Sequence, residues 1–431
     1  MTGKRITRRR LVKTSAMAAA LAGGATLMGP WNHLRVYAQG AKKPIKLGLT
    51  CDASGQYGNS GQDDVRGIRL AIDEFNAKGG VLGRKVEWIT ADTETNPATG
   101  SRIAERFITR DECGFLIGAV HSGVANAITQ VAAKYGTVYL NTNSSAPSEA
   151  GENCNRVKFV WDGNGTNFSK AAVRNAVQGI GKNWLLLTND YVWGHTTSAA
   201  TKAQVEAAGG KIVDNLLVPQ NTRDFTSYLL KIQQAKPDVV ATAVGGDDIK
   251  ALRQQVAQLK MDGKPAWINN QQDWPDIWGA PESLFGAFGT TWYHKLPLPG
   301  VAEFVQRWQT AYKDGPIPVP GNVSYNGYMA TKELLRAIER AGGTNNVKVI
   351  KELEGLKVSA TDRMQHFDAY MDPVTHQMQQ TIYLARRNEK PSDKSDLYQL
   401  ISWTDPKTAE DDAAPAKCKL VAYDKVPTFE L

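Results

Sequence analysis

Beyond residue 38 the chain has almost no net charge. Seven of its 51 basic residues and none of its 43 acidic ones fall within residues 1–38, leaving 44 bases against 43 acids, a net of +1. The formal total of +8 thus belongs to one end, and no nucleic-acid-binding face is expected. Histidine is scarce as well: after residue 38 only His121, His195, His294, His366 and His376 occur, and none has an Asp or Cys partner at metal-ligand spacing. No metal site is expected. Gly245-Gly246-Asp247 lacks the Gly-Lys-Ser/Thr of a phosphate loop. Ser122 lacks the glycines of a nucleophile elbow, because Val120 and Val124 stand in their places. His121, its neighbour in sequence, points away from it and makes a poor base. These absences argue against an enzyme, and no cofactor is expected. After the N-terminal region no apolar run is long enough to cross a bilayer.

The basic end has three parts. Thr7-Arg8-Arg9-Arg10-Leu11-Val12-Lys13 resembles the twin-arginine export motif, a mild Ala/Gly-rich stretch covers 15–29, and Val36-Tyr37-Ala38 offers a signal-peptidase site. Residues 1–38 are therefore expected to be a signal peptide cut near Ala38, with the mature chain in the periplasm and not inserted in the membrane. Cys51 lacks a Leu-x-Gly-Cys setting, which argues against a lipoprotein. An oxidising compartment makes four cysteines a question of pairing. Cys51 ends one expected strand and Cys113 precedes another; in parallel neighbours their sulfurs would be ~15–20 Å apart, too far to bridge. Cys154 and Cys418 lie in polar loops, so a Cys154–Cys418 bridge is expected, closing a very long loop and pinning the tail around 409–417.

From residue 45 apolar strands alternate with helical stripes. Strands are expected over 45–50, 85–90, 114–120 and 137–140, with helices over 62–77, 98–109 and 124–135. The pattern then restarts, with helices over 168–179, 196–208, 228–235 and 249–259 and strands over 184–188, 211–217, 239–244 and 265–268. Between the two series, 159–167 reads as a bending crossover. A strand over 285–292, helices over 300–312 and 323–341, and strand-like 379–385 and 397–403 follow. The expected fold class is α/β, two doubly wound parallel sheets covered on both faces. Such sheets bind ligands beyond the carboxyl ends of their strands. The stretches that matter are therefore 50–61, 121–123, 141–145, 189–194, 245–248 and 269–273.

Several of these segments carry a resemblance. Ser54-Gly55-Gln56-Tyr57-Gly58 and Asn76-Ala77-Lys78-Gly79-Gly80-Val81-Leu82-Gly83-Arg84-Lys85 resemble the opening of periplasmic solute-binding proteins of the leucine/isoleucine/valine-binding type. Asp92 with Asn96-Pro97, Gly118 with Ser122, Ala146-Pro147 and Tyr191-Val192-Trp193-Gly194 fit the same pattern, and the placement of Cys154 and Cys418 is similar to a subset with a disulfide-tied C terminus. The resemblance spans about 45–403. It implies a type I fold: two lobes, 43–161 with 295–362 and 162–294 with 363–405, joined by a three-crossing hinge, and a tail, 406–431, packed back on the body. It also implies a monomer that closes on a small molecule and delivers it to an inner-membrane ABC transporter permease.

Carried over by position, the first-lobe ligand contacts would be Ser122 with the Gly123 backbone, Asn143 and Ser145, and those of the second lobe Trp193, Asp247 and Gln271. Tyr57 and Ser60, in the loop 50–61, join the candidate set. Ser122 and Ser145 each precede or begin a helix, where free N–H groups favour a ligand carboxylate, although an ordinary N-cap fits each serine too. The second lobe departs from the amino-acid pattern. Gln271 stands where amino-acid-binding members usually place a glutamate, and Asp247 where they often have a tyrosine; Asp247, Asp248 or Asp273 could supply the missing charge. Tyr57, Tyr191, Trp193 and Trp274 could wall a bulky ligand or pack in the core. The expected ligand bears a carboxylate or an amide: an aliphatic amino acid first, then an amide or urea-like compound, then an aromatic acid. A ligand-presenting sensor module is the alternative use of the fold.

Overall fold

The computed structural model describes residues 42–430 apart from 281 and 282, so the signal peptide expected over 1–38 lies outside the described residues. The first alternating series runs β1 (Ile45–Leu49), α1 (Gly58–Ala77), β2 (Val86–Thr90), α2 (Pro97–Thr109), β3 (Phe115–Gly118), α3 (Ser122–Tyr135), β4 (Val138–Asn141) and β5 (Lys158–Val160). It forms a parallel sheet of order β2-β1-β3-β4-β5. β3 and β4 are buried along their whole length, as apolar strands covered on both faces must be. Leu47, Leu49, Phe115, Ile117 and Leu140 pack there against Ile68 and Ile72 of α1, Phe107 of α2 and Ile128 of α3. Local signals set the helix ends. Asn96 caps α2 by accepting from the N–H groups of Ala98 and Thr99, with Pro97 at the first helical position, and Gly136, at φ 72°, ends α3.

The second series runs α4 (Gly165–Gly179), β6 (Asn183–Asn189), α5 (Val192–Ala207), β7 (Lys211–Val218), α6 (Thr226–Ala235), β8 (Val239–Ala243), α7 (Gly246–Gln258), β9 (Ala266–Asn269), α8 (Trp274–Ile277) and β10 (Ala287–Thr290). Then come α9 (Val301–Ala311), α10 (Asn322–Ala341), α11 (Asn346–Leu353), three short strands, β11 (Lys357–Val358), β12 (Ala369–Met371) and β13 (Met378–Gln379), and finally β14 (Ile382–Arg387) and β15 (Tyr398–Thr404). The second sheet has the order β15-β14-β10-β9-β8-β6-β7. Its β10–β14 and β14–β15 pairs are antiparallel, which corrects the expectation of a wholly parallel sheet. For β14 and β15 the physical reason is connectivity: they are joined by a loop with no crossover helix, and only a crossover can make sequential neighbours parallel. The antiparallel trio β11-β12-β13, α8 and α11 had not been expected, nor had β5, which takes up the start of the stretch read as a crossover because it pairs with β4 before the chain leaves the sheet.

The chain passes between the sheets three times: from β5 to α4, from β10 to α9, and from β13 to β14. These passages bond to one another. Thr291 Oγ1 donates to Asp162 Oδ1 at 3.1 Å, and Gln380 Nε2 to the Trp161 carbonyl at 2.7 Å. On the first-sheet side α10 returns to lie across α1, where glycines permit the close crossing. A Cβ on Gly67 would run into the Ser324 carbonyl, and one on Gly327 into the Asp64 carboxylate. After β15 the tail makes a fourth passage. Asn167 Nδ2 donates to the Ala409 carbonyl at 2.7 Å beside α4, whereas Val426 is buried in the core of the first sheet. Between those points Cys418 is bonded to Cys154, with Cα atoms 5.5 Å apart. Cys51 and Cys113 are buried and unpaired.

Candidate functional site

The carboxyl ends of β1, β3 and β4 meet those of β6, β8 and β9 around one small cavity of about 20 Å³, room for roughly a single water. Tyr57, Val120, Asn143 and Ser145 line it from the first-sheet side. Tyr191, Trp193, Gly245, Gly246, Ile249, Gln271, Gln272, Asp273 and Asp276 line it from the second. The two sides are in direct contact. Ser145 Oγ donates to Gln271 Oε1 at 2.7 Å, and the Tyr57 and Tyr191 hydroxyls are 2.5 Å apart. Gln56 Nε2 donates to the Gly245 carbonyl at 3.2 Å and to Asp248 Oδ2 at 3.1 Å, while its own carbonyl accepts from Asp247 N at 3.0 Å. Glycine permits this approach: a Cβ at 245 would lie 2.6 Å from the Tyr57 hydroxyl, and Gly246, at φ 59°, abuts the Gln56 carbonyl.

The ionisable groups gathered at the cavity are acidic and buried. Gln271 Nε2 donates to Asp162 Oδ2 at 2.8 Å and to Asp273 Oδ1 at 3.1 Å, and Asp273 Oδ1 also accepts from Asn322 Nδ2 at 2.8 Å. Burial, then the nearby charges of Asp276 and Asp162, push the Asp273 carboxyl up to about 8. Burial raises Asp162 to about 7 against the hydrogen bonds that oppose it. Asp276 faces Lys250 Nζ at 3.2 Å. On the opposite side of the site His121 stacks on Tyr191 with ring centres 4.5 Å apart, and burial lowers its imidazole to about 4, leaving it neutral. The indole N–H of Trp193 is buried without a hydrogen-bond partner, an uncommon state for a donor that lines a cavity.

Of the residues singled out in the sequence, Tyr57, Asn143, Ser145, Tyr191, Trp193, Gln271 and Asp273 share the cavity wall. Ser60 is buried in the first turn of α1, and its hydroxyl has no partner. Ser122 is buried behind the wall, its hydroxyl 2.9 Å from that of Ser144. Gly123 lies in the first turn of α3 against the His121 ring and Pro97. The cap of α3 is His121, whose Nδ1 accepts from Val124 N at 3.2 Å. Asp247 is half-buried, 3.2 Å from both Arg223 and Lys250. Trp274 packs in a core cluster with Leu70, Ala71, Phe288 and Trp292. Gln56, Asp162, Gln220 and Asp276 were not anticipated. Loop position pointed to Gln56, but nothing in one sequence shows that an amide at 56 reaches Asp248, or that Gln220 bridges Gln56 and His121.

The periplasmic binding protein family matches residues 44–393. The chain is 26% identical over 335 residues to Leu/Ile/Val-binding protein homolog 8 of Brucella abortus, covering 73% of this chain and 81% of that one. Its fold is that of an amino acid ABC transporter substrate-binding protein from Pseudomonas fluorescens (TM-score 0.79, 22% identity, 88% of this chain and all of the other). It also matches a solute-binding protein from Rhodopseudomonas palustris in complex with 3,4-dihydroxybenzoic acid (TM-score 0.75, 22% identity, 84% and 98%). Family and fold are those of substrate-binding proteins rather than enzymes. With two α/β sheets, three passages between them, strand-end loops gathered at one cavity and the match extending over most of its length, the chain belongs to the periplasmic binding protein family.

Proposed function

We propose that this protein captures a small solute bearing a carboxylate or an amide in the cleft between its two sheets and hands it to the permease of an ABC importer. In this reading residues 43–161 with 295–362 move against 162–294 with 363–405, and a solute touching both sides selects the closed arrangement. The mature chain, freed of a leader cut near Ala38, works in the periplasm as a monomer. The observation that carries the reading is the direct bonding of facing strand-end loops, Ser145 to Gln271 and Tyr57 to Tyr191, around a cavity lined by both sides. The relatives are named for amino acids, and one structural neighbour holds a dihydroxybenzoic acid, so amino acids and aromatic acids both belong in a first screen with their amides. The test is a thermal-shift screen followed by calorimetry and by the fluorescence of Trp193. A ligand that raises Tm and shifts the emission is expected to lose at least about tenfold in affinity in Gln271→Ala. Full affinity in a Ser145→Ala, Gln271→Ala double variant would place the solute elsewhere.

A further inference from the structure

The cavity's lining discriminates among the solutes that the proposed function admits. Among the described residues no lysine, arginine or histidine lines it, whereas Asp273 and Asp276 do. Asp162 stands directly behind, joined to Asp273 through the amide of Gln271. The nearest cations face other groups: Lys250 the Asp276 carboxylate, and Arg253 Nη1 the Gln272 side chain at 2.5 Å. Neither bonds to Asp273 or Asp162, whose other partners are the amides Asn322 and Asn326, the Thr291 hydroxyl and the Gly163 N–H.

Helix starts could hold an anion without any cation. Beside two of them the chain's own acceptors already take some of the N–H groups. At α3 the Asp52 carboxylate accepts from Val120 N at 2.7 Å and His121 N at 2.9 Å, and the His121 ring takes Val124 N. Ser122, the hydroxyl that would assist a ligand carboxylate there, faces Ser144 instead. At α7 the Gly245 N–H goes to Asn189 Oδ1 at 3.0 Å and the Asp247 N–H to the Gln56 carbonyl, with Asp247 and Asp248 adding negative charge in the first turn. Among the buried side-chain nitrogens of the described wall residues, only the indole N–H of Trp193 lacks a partner. One neutral donor suits a carbonyl oxygen, whereas a buried carboxylate requires several donors or a counter-charge.

We infer that the cleft takes a solute without a free carboxylate, a small amide or an amine, with its N–H groups turned to Asp273 and any carbonyl oxygen to the indole N–H of Trp193. This rests on the capture function proposed above and selects one chemistry within it. An N–H donor finds a carboxyl oxygen at Asp273, whereas an incoming carboxylate finds no cation beside Asp273 or Asp162.

Matched pairs test it, since an amide and its acid differ little in size. Calorimetry on the purified full chain near neutral pH would compare benzamide with benzoate and L-leucinamide with L-leucine. At least about tenfold tighter binding of the amide is expected in whichever pair binds. Asp273→Asn should weaken leucinamide at least about tenfold and narrow the gap between benzamide and benzoate. The wild-type comparison stands even if that variant fails to fold. An acid that binds more tightly than its amide overturns the inference and leaves the capture function intact. If neither pair binds, a wider thermal-shift screen of amines, amides and carboxylates decides: an amide or amine hit supports the inference and a carboxylate hit overturns it. A chain stabilised by no solute overturns both readings.

Discussion

At the scale of single residues, the two serines that look alike in sequence part company. Ser145 reaches across the cleft to Gln271, whereas Ser122 turns back to Ser144. Ser145→Ala is expected to weaken solute binding about tenfold, in line with the ~1–3 kcal/mol at stake when a buried polar group loses its partner. Ser122→Ala should leave affinity within about twofold. Calorimetry on both variants checks the contrast, and equal losses would contradict it. A second residue-scale expectation concerns Asp64, which burial pushes up to about 8, with Thr142 Oγ1 donating to it at 2.6 Å. A carboxyl that keeps its proton longer folded than unfolded contributes stability that is full below its ordinary pKa and lost as pH rises through the raised one. Tm should therefore fall between about pH 4 and pH 8, and Asp64→Asn should flatten that slope. Parallel melting curves against pH for variant and wild type would refute the assignment.

At the scale of elements, closure depends on the start of α7 meeting the loop after β1. Gly246→Ala places a methyl against the Gln56 carbonyl at a positive φ, a conformation that costs an alanine ~1–2 kcal/mol before any clash. Solute affinity is expected to drop at least about tenfold while the far-ultraviolet circular dichroism stays unchanged; undiminished affinity would mean that closure does not bring these segments together. The elements themselves were largely legible. Alternating apolar runs and helical stripes located the strands and helices of both series, except the short β5 and α8, because burial on both faces makes strands continuously apolar. The direction of β14 was not legible, since an antiparallel strand and a parallel one buried alike carry the same side-chain pattern. The trio β11-β12-β13 was missed because strands of two or three residues are too short to show a period.

At the scale of the whole molecule, the tail adds a fourth passage between the sheets, tied by a disulfide that closes a loop 264 residues long in sequence. Removing a native bridge typically costs about 2–5 kcal/mol, because the cross-link restricts the conformations open to the unfolded chain. Cys154→Ser or Cys418→Ser is therefore expected to lower Tm by several degrees and to expose the segment after residue 405 to limited proteolysis. A variant with wild-type Tm and an uncut tail would show that Val426 and the bonds around Asn167 hold the tail without the bridge. Solute binding should also shrink the molecule's scattering radius if the two sides move as proposed.

By itself the sequence determined the periodicity of both α/β series, the concentration of basic charge in residues 1–38, the pairing of Cys154 with Cys418 and the strand ends from which a cleft would be built. Those features are local, or follow from burial and charge that composition already displays. Only the tertiary structure decided which strand-end side chains face the cavity, because each rotates one way or the other under packing from distant segments. Ser122 and Ser145 have the same chemistry and comparable settings, and the difference between them arises from Ser144 and Gln271. The gathering of Asp162, Gln271 and Asp273 at one end is of the same kind, since more than a hundred residues of chain lie between the first and the other two.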